Sequence, residues 1–437
     1  MTSRTAMRPV RSSPAFLLLL AGLVLAIALL GSCNGSSSAA RPPSLSSALA
    51  PAGASVTEVC FRADAYTLAA GAVANAQPIP MWGFVKTGTG AGCGFGGAAP
   101  DGTAVVLPVL TATAGTYLNV HLQNNLAAGT SAYLEPVSIT VPGQPFFGSD
   151  APGSPGPTWF EPSGGTVSVG PRSTPTQRVR TFTVEAPLGP GGPGSVVTYA
   201  FGPLRPGTYL LESGTHPGVQ VQMGLIGALV VNPATAGFAY SDPSSAYDAD
   251  QALVFSEIDP VFHAAVGAGN YGPNANPPNG WITSPSDYHP RYFLVNGKPY
   301  TPGAPPIASV PGNARVLLRL VNGGLDVKVP VAGGRYMSLI AEDGNFYTAS
   351  GKVSPSSPVS TCPAPRSQFT VMLPAGKTVD AVLTTPGAGT QIAVYDRRLN
   401  LSNAGASPGG MLALLTTVGG NARPPGPAVA PCTLGGP

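Results

Sequence analysis

Apolar and polar residues alternate with a period of two in several short segments of the chain. Within Tyr117–Leu122, the apolar residues Leu118, Val120 and Leu122 fall on one side and polar residues fall on the other. The same alternation recurs in two later segments, Arg315–Leu320 and Phe369–Leu373. This period is typical of half-buried strands in antiparallel sheets that pack face to face. We therefore expect an all-β fold built of β-sandwiches.

Turn signals separate the apolar runs. Asn296-Gly297 and Asp343-Gly344 each lie between two such runs, which predicts tight hairpin turns. Helical periodicity is scarce, and a short helix is predicted only over Asp259–Val266. The sequence has 57 glycines and 50 prolines in 437 residues, while 43% of its residues are apolar. This composition indicates a turn-rich globular protein and not a disordered low-complexity chain.

The N-terminus has the pattern of a secretion signal. Arg4, Arg8 and Arg11 precede an apolar run of 15 residues, Phe16–Leu30, and small residues then lead to Cys33. This arrangement predicts a signal peptide over residues 1–32. The cysteine directly after the small residues resembles a bacterial lipobox, which implies that Cys33 becomes a lipidated N-terminus. An ordinary signal peptide and a short transmembrane helix are the alternatives, although a span needs about 20 residues.

Lipidation at Cys33 implies a protein of the bacterial cell envelope that is held at a membrane by its lipid anchor. Asn34 after the cysteine favours the outer membrane or cell surface, by the sorting rule of enteric bacteria. Residues 33–55 are rich in Ser, Ala and Pro and predict a flexible tether, and residues 419–437 predict a Gly/Pro-rich tail.

The charge of the chain excludes one class of partner. The net charge is +3, and the leader contributes three arginines and no acidic residue, so the remainder is near neutral. No basic surface is left for nucleic acid, which is therefore not expected as a partner.

One segment carries a specific resemblance. Pro206–Val231 reads PGTYLLESGTHPGVQVQMGLIGALVV. It resembles the end of the first cupredoxin domain of multicopper oxidases, where a Gly-Thr-Tyr strand leads into a His-x-His pair and a Gly-Leu-x-Gly-Ala-Leu-Val-Val strand follows. In that register His216 is the second histidine, Gln220 holds its place, and Gly214 replaces the first histidine.

Further segments resemble the same family in the same order. For the first domain they are Met81–Phe84, Val120–Leu126 and Glu135–Gln144; for the second they are Ser256–Pro260, Tyr292–Tyr300, Arg315–Gly323, Met337–Asn345, Leu373–Asp380 and Tyr395–Leu401. The resemblance implies two Greek-key cupredoxin-like β-sandwich domains in tandem, over residues 56–235 and 236–418. No segment resembles the third domain, with its His-Cys-His signature.

The family's copper chemistry needs more histidines than this sequence has. A type 1 copper and a trinuclear cluster together use about ten imidazoles and one thiolate. This chain has His121, His216, His263 and His289. Where the family has a second His-x-His, Ser138-Ile139 is followed here by Thr140-Val141-Pro142-Gly143. The resemblance therefore implies no complete copper centre and no confident cofactor, with copper at low occupancy on His216, a weak vestigial ligand.

The other histidines and two carboxylate pairs have simpler interpretations. His121 is expected to face solvent, His263 to lie between the domains and His289 to lie in a loop, while Met223 near His216 is expected to fill the core. Glu257 with Asp259, and Glu342 with Asp343, have the chemistry to bind a cation or transfer protons. Such pairs more often end strands or shape loops.

Four cysteines remain after Cys33: Cys60, Cys93, Cys362 and Cys432. In an oxidising compartment an even number predicts disulfides, and four cysteines allow three pairings. The pairing Cys60–Cys93 and Cys362–Cys432 keeps each bond within one of the implied domains and is favoured. A copper thiolate is the alternative, but the family's copper cysteine has a histidine shortly downstream, and these cysteines lack one.

Two hypotheses of function follow. The first is a multicopper oxidase-like envelope lipoprotein that is not an enzyme, whose paired sandwiches bind or assemble with an envelope or surface component. The second is a copper-binding protein or oxidoreductase that holds copper at His216 or is completed by a partner subunit. The near-neutral surface favours the first, because it lacks the charge that steers charged ligands.

Overall fold

The computed structural model describes residues 50–73, 77–89, 94–128, 135–150, 158–159, 179–189, 192–271, 287–352 and 359–419. The signal peptide, Cys33, most of the tether, Cys93, Cys432 and nearly all of the tail lie outside these residues, so the interpretations that concern them stay predictions. Among the described residues, no helix is long and apolar enough to cross a membrane.

The first half of the described chain forms a β-sandwich. Its strands are β1 (Val56–Leu68), β2 (Ile79–Thr89), β3 (Val109–Thr113), β4 (Tyr117–Asn124), β5 (Phe146–Ser149), β6 (Thr158–Trp159), β7 (Val179–Thr181), β8 (Val196–Phe201), β9 (Gly207–Glu212) and β10 (Ile226–Asn232). One sheet has the order β2-β1-β4-β8-β5, the other has the order β3-β10-β9, and β6 pairs with β7. A helix, α1 (Pro217–Met223), connects β9 to β10, and a 3₁₀ turn covers Leu126–Ala128.

The second half repeats this plan. Its strands are β11 (Ala249–Ile258), β12 (Tyr292–Val295), β13 (Ala308–Pro311), β14 (Arg315–Asn322), β15 (Pro330–Ala332), β16 (Met337–Glu342), β17 (Asn345–Phe346), β18 (Thr348–Lys352), β19 (Val359–Pro363), β20 (Arg366–Gln368), β21 (Thr378–Thr384), β22 (Gln391–Asp396) and β23 (Leu412–Val418). A 3₁₀ turn covers Pro243–Ser245, and α2 (Pro260–Gly267) follows β11.

The sheets of the second half have the orders β12-β11-β14-β21-β16-β17, with β20 beside β16, and β13-β23-β22-β15. Strands β18 and β19 pair with each other. The two halves share their parallel pairings: β1 lies parallel to β4 as β11 does to β14, and β3 lies parallel to β10 as β13 does to β23. This repetition is what two sandwiches in tandem require, and the all-β prediction is confirmed.

The alternation of apolar residues places the two cores. Leu118, Val120 and Leu122 on β4 are buried in the first core together with Trp82 and Phe61. The second core contains Val316, Leu318 and Leu320 of β14, as the alternation predicts. Burying one such side chain contributes about 1.5–3 kcal/mol to the free energy of unfolding.

The predicted turns are also confirmed, because both residues of Asn296-Gly297 and of Asp343-Gly344 have positive φ.

The predicted short helix is confirmed as α2. Asp259 caps its N-terminus, and its carboxylate accepts hydrogen bonds from the backbone N–H groups of Val261 and Phe262.

The predicted strand at Phe369–Leu373 is wrong. Val371 and Leu373 are buried in alternation, but the backbone there forms only one bridge, between Lys328 and Leu373. Pro374 follows directly and has no N–H with which to extend such a ladder.

Cys60 lies on β1 and Cys362 on β19, and both are buried. Their favoured partners, Cys93 and Cys432, lie outside the described residues. Both pairings therefore stay predictions.

The two sandwiches pack against each other through an apolar contact. All described residues belong to one compact unit. Leu210 and Ala228 of the first sandwich form a buried cluster with Val254 and Val321 of the second. These side chains alternate with those that point into each core, so the strands β9, β10, β11 and β14 are apolar on both faces.

Arg319 is a polar member of the same junction. The alternation in β14 places it on the face away from the second core, yet its side chain is fully buried. Its guanidinium donates to Thr208 Oγ1 at 3.2 Å and to Asn232 Oδ1 at 2.9 Å in the first sandwich, and to Asp250 Oδ2 at 2.7 Å in the second. The buried charge is thus shared by oxygen atoms from both sandwiches.

Asp380 on β21 completes this junction. Its Oδ1 accepts a hydrogen bond from Thr208 at 2.6 Å and lies 4.0 Å from Nη1 of Arg319. Its Oδ2 accepts a hydrogen bond from the hydroxyl of Tyr240, in the segment that connects the sandwiches. A buried charge needs both pairing and hydrogen bonds, and this group receives both.

Replacing Arg319 tests the junction. We expect Arg319→Met to lower the free energy of unfolding by about 3 kcal/mol, because Asp380 then stays buried without its cation. Arg398→Met is the matched control: its side chain is 45% exposed and its ion pair with Asp326 spans 3.5 Å, so the loss should be under about 1 kcal/mol. Urea denaturation followed by fluorescence measures both, and equal losses would contradict the proposed role of Arg319.

Candidate functional site

His216 lies where β9 has ended and α1 begins. Its backbone has φ 41° and ψ 58°, a left-handed conformation, and Pro217 follows as the first residue of the helix. The carbonyl of His216 accepts hydrogen bonds from the N–H groups of Val219 and Gln220. His216 is thus the N-cap residue of α1, through its backbone carbonyl and not its side chain.

The imidazole of His216 is held by a carboxylate. Its Nδ1 lies 2.8 Å from Oε1 of Glu135, and since a carboxylate oxygen accepts, Nδ1 is the donor. The ring also lies beside Tyr271, with 6.2 Å between ring centroids. Glu135 and His216 are 3% and 9% exposed, so water competes little for this contact.

Gln220 fixes the other side of the same carboxylate. Its Nε2 donates to Oε2 of Glu135 at 2.9 Å and to the carbonyl of Pro136 at 2.8 Å. Its Oε1 accepts from the hydroxyl of Ser213 at 2.6 Å. These three bonds fix the orientation of a fully buried amide, and one donor binds each oxygen of Glu135.

Hydroxyl groups extend this network across the sandwich. Thr215 donates toward Ser138 at 2.9 Å and lies 3.1 Å from the hydroxyl of Thr181. Thr181 in turn donates to the carbonyl of Thr183 at 2.8 Å. We call Glu135, Ser138, Ser213, Thr215, His216 and Gln220 the polar cluster. All six residues are buried.

Gly214 and Thr140, two positions where the family resemblance implies histidines, lie against each other. A Cβ atom added at Gly214 would lie 2.5 Å from Cγ2 of Thr140 and 3.3 Å from both Oγ of Ser138 and Cγ2 of Thr183. Real Cβ atoms do not approach that closely. The space that a side chain at position 214 would need is thus filled by the methyl group of Thr140.

The remaining histidines are held elsewhere. His121, expected to be solvated, is instead half-buried, with Nε2 2.6 Å from Oε2 of Glu58 and Nδ1 2.9 Å from the hydroxyl of Thr198. His289 contacts the carbonyl of Asp287 through Nδ1 in an exposed loop, as expected.

His263 lies on α2, fully buried against β2, where its Nδ1 is 2.8 Å from the carbonyl of Pro80. It therefore connects a helix that follows β11 to a strand of the first sandwich, as expected for a residue between the domains. Burial lowers the pKa of His263 from 6.5 to about 4, because the charged imidazolium is not solvated there. Burial acts in the opposite sense on Glu212, next to the polar cluster, and raises its pKa to about 7.

The two carboxylate pairs have structural roles. Glu257 forms a fully buried ion pair with Lys328 at 2.8 Å, and its Oε1 accepts from two backbone N–H groups. Glu342 and Asp343 are bridged by Lys377, at 3.2 and 2.7 Å.

The four histidines have separate hydrogen-bond partners: Glu135 for His216, Glu58 for His121, Pro80 for His263 and Asp287 for His289. Among the described residues, no three His, Cys, Asp or Glu side chains converge as a metal site requires. Met223, the proposed thioether neighbour, is fully buried in the first core, as expected for a core filler. The polar cluster contributes one imidazole and one carboxylate, which are bonded to each other.

Sequence reasoning did not find Glu135, Ser213 or Thr215. Each lies within a segment that resembles the family, but no local pattern shows that a glutamate before a proline will be buried beside a histidine 81 positions later. The only general rule that bears on Glu135 is that a buried glutamate has a partner, and this rule does not identify the partner.

Three solved structures that share the fold of this chain are copper proteins. A blue copper oxidase from Nitrosomonas europaea has a TM-score of 0.50 and 17% identity, covering 82% of this chain and 85% of that one. The multicopper oxidase mgLAC has a TM-score of 0.52 and 18% identity, and the alignment covers 83% of this chain and 86% of that one. Copper nitrite reductase from Nitrosomonas europaea gives 0.50 and 15%, covering 83% and 94%.

No family model and no curated protein matches the chain. At these identities the structural likeness establishes the fold alone. The predicted cupredoxin-like β-sandwich fold is confirmed.

Position 214 offers a direct test of the packing around the polar cluster. We expect Gly214→His to lower the free energy of unfolding by about 2–3 kcal/mol, because Thr140 occupies the space that the new side chain needs. Gly96→His is the control, since no atom lies within 4 Å of a Cβ at that glycine. Thermal and urea unfolding compare the two, and a stable Gly214→His protein would show that the cluster leaves room for a second imidazole.

The buried His263 predicts a pH effect of known sign. The pKa of His263 is lowered in the folded state. Its contribution to the free energy of unfolding is therefore fully present above pH 6.5 and is lost as the pH falls towards about 4. At pH 5 the unfolded chain is protonated and the folded chain is not, which reduces the stability by about 2 kcal/mol relative to pH 8.

The comparison of wild type with His263→Gln isolates this effect, because Glu212 titrates in both proteins. The difference between their free energies of unfolding should shift by about 2 kcal/mol in favour of the variant from pH 8 to pH 5. His289→Gln, at an exposed site, should show no such shift. A pH-independent difference for His263→Gln would mean that the pKa of His263 is the same in the folded and the unfolded protein.

Proposed function

We propose that this protein is a cell-envelope lipoprotein with a cupredoxin-like fold that acts as a binding or assembly module and not as a copper oxidase. The observation that carries this proposal is the contact between Gly214 and Thr140. Two positions where the resemblance implies histidines pack on each other, and the space there is filled. Such complementary packing supports a role for the sandwich as a scaffold.

The hydrogen bonding of the polar cluster supports the same conclusion. A copper ligand must offer a nitrogen lone pair to the metal, and ligands for a cluster must converge on one point. Here each of the four histidines bonds through a ring nitrogen to a different protein oxygen, of Glu58, Glu135, Pro80 or Asp287, so one nitrogen of each ring is held by the protein and is not offered to a metal. These oxygens belong to different parts of the described chain.

The envelope location rests on the sequence. The arginine-rich leader, its apolar run and Cys33 are consistent with a lipid-anchored protein, and residues 33–55 are suited to separate the anchor from the sandwiches. The rigid junction at Arg319 suits a module that presents one surface to a partner. Tyr336 and Met372, at 70% and 69% exposed, are large side chains available for such contacts.

A second function is favoured by one observation. Glu135 bonds to Nδ1 of His216, which is how carboxylates orient histidines that bind metals through the other ring nitrogen. In that case the protein would be a copper-binding protein or an oxidoreductase completed by a partner subunit, and His216 would be its own contribution.

Copper loading distinguishes these functions. The wild-type protein, incubated with Cu(II) or with Cu(I) under reducing conditions and then desalted, should retain well below one copper per chain and should not oxidise a phenolic substrate. The amount of metal should be equal in His216→Ala and in the exposed-site control His289→Ala. One copper per chain that disappears only in His216→Ala would support the second function and contradict the first.

A further inference from the structure

A small, largely buried cavity lies where the two sandwiches meet at the C-terminal end of α1. Gln222 of α1 and Ser256 of β11 line it from opposite sandwiches. Met81, Ile226, Ile258 and Leu294 are among the apolar residues that complete its wall. The cavity leaves about 10 Å³ for the centre of a water molecule, which is the room that one water needs.

Among the residues that line this cavity, two buried polar atoms have neither a hydrogen-bond partner nor an ion-pair partner in the protein. They are Oε1 of Gln222 and Oγ of Ser256, and each residue is 6% exposed. Burying a polar atom without a hydrogen-bond partner costs the folded protein about 1–3 kcal/mol of stability. Two such atoms at one cavity, from two different sandwiches, point to a shared ligand.

The chemistry of the two atoms restricts what that ligand can be. An amide oxygen only accepts a hydrogen bond, whereas a hydroxyl both donates and accepts. A ligand between them must therefore donate to Gln222, and it can accept from or donate to Ser256. The lining includes no unpaired charge, because the carboxylate of Glu257 is matched by Lys328 at 2.8 Å. A metal ion would thus find no compensating charge.

We infer that this cavity binds one structural water molecule that bridges Gln222 Oε1 and Ser256 Oγ. The water connects the helix that begins at His216 to the first strand of the second sandwich. It acts together with Arg319, at the far side of the apolar contact, to hold the sandwiches in one arrangement. The helix that carries Gln220 is thereby fixed at both ends, by the polar cluster and by the water.

A double-mutant cycle on the full chain tests this bridge. Ser256→Ala and Gln222→Met each remove one partner of the water, and each should lower the midpoint of thermal unfolding by about 2 °C. The double variant makes the cavity apolar and releases the water, so its midpoint should lie no lower than that of the single variants. Additive losses in the double variant would show that the two groups act independently and would overturn the bridge.

Crystallography supplies the second readout, which does not depend on stability. A high-resolution map of the wild-type protein should show one density peak within hydrogen-bond distance of both atoms, and the double variant should lack it. The peak should persist when sodium is replaced by a bulky organic cation in all buffers. A wild-type map without the peak, or a peak that needs sodium, would contradict the inference.

Discussion

The side chain of Arg319 is fully buried where the two sandwiches meet, and it pairs with carboxylates of the second sandwich while it donates to neutral oxygens of the first. A guanidinium in such a place is stable only when its partners are held in position, and here they come from β10, β9, β11 and β21. The apolar cluster around Leu210 and Val254 excludes water from this contact. The relative position of the two sandwiches, and of α1 between them, depends on this junction.

The polar cluster lies within that fixed frame and satisfies its own hydrogen bonds. The family resemblance implies metal ligands in this part of the first domain. Here Glu135 instead accepts hydrogen bonds from His216 and from Gln220. Thr140 and Gly214 show how such a change is accommodated, since a methyl group fills the space beside a glycine. A buried network of this kind specifies one packing of the strands.

The sequence predicted what depends on local pattern. Alternation identified the buried faces of β4 and β14, the Asn296-Gly297 turn follows from the conformational freedom of its residues, and Asp259 marked the start of α2. It did not predict the burial of Arg319, because alternation shows which side chains point away from one core but not what packs against that face of the strand. It also did not bring Glu135 to His216, since that contact depends on long-range strand pairing.

The central proposal is that the four imidazoles, each held by the protein through at least one ring nitrogen, do not bind copper. Long-range ¹H–¹⁵N NMR of the histidine side chains, recorded with and without one equivalent of Cu(I), reports the protonation and metal binding of each ring nitrogen. We expect His216 to show a protonated Nδ1 and all four rings to keep their nitrogen shifts when Cu(I) is added. A metal-induced shift of the His216 Nε2 resonance at one equivalent would contradict the account.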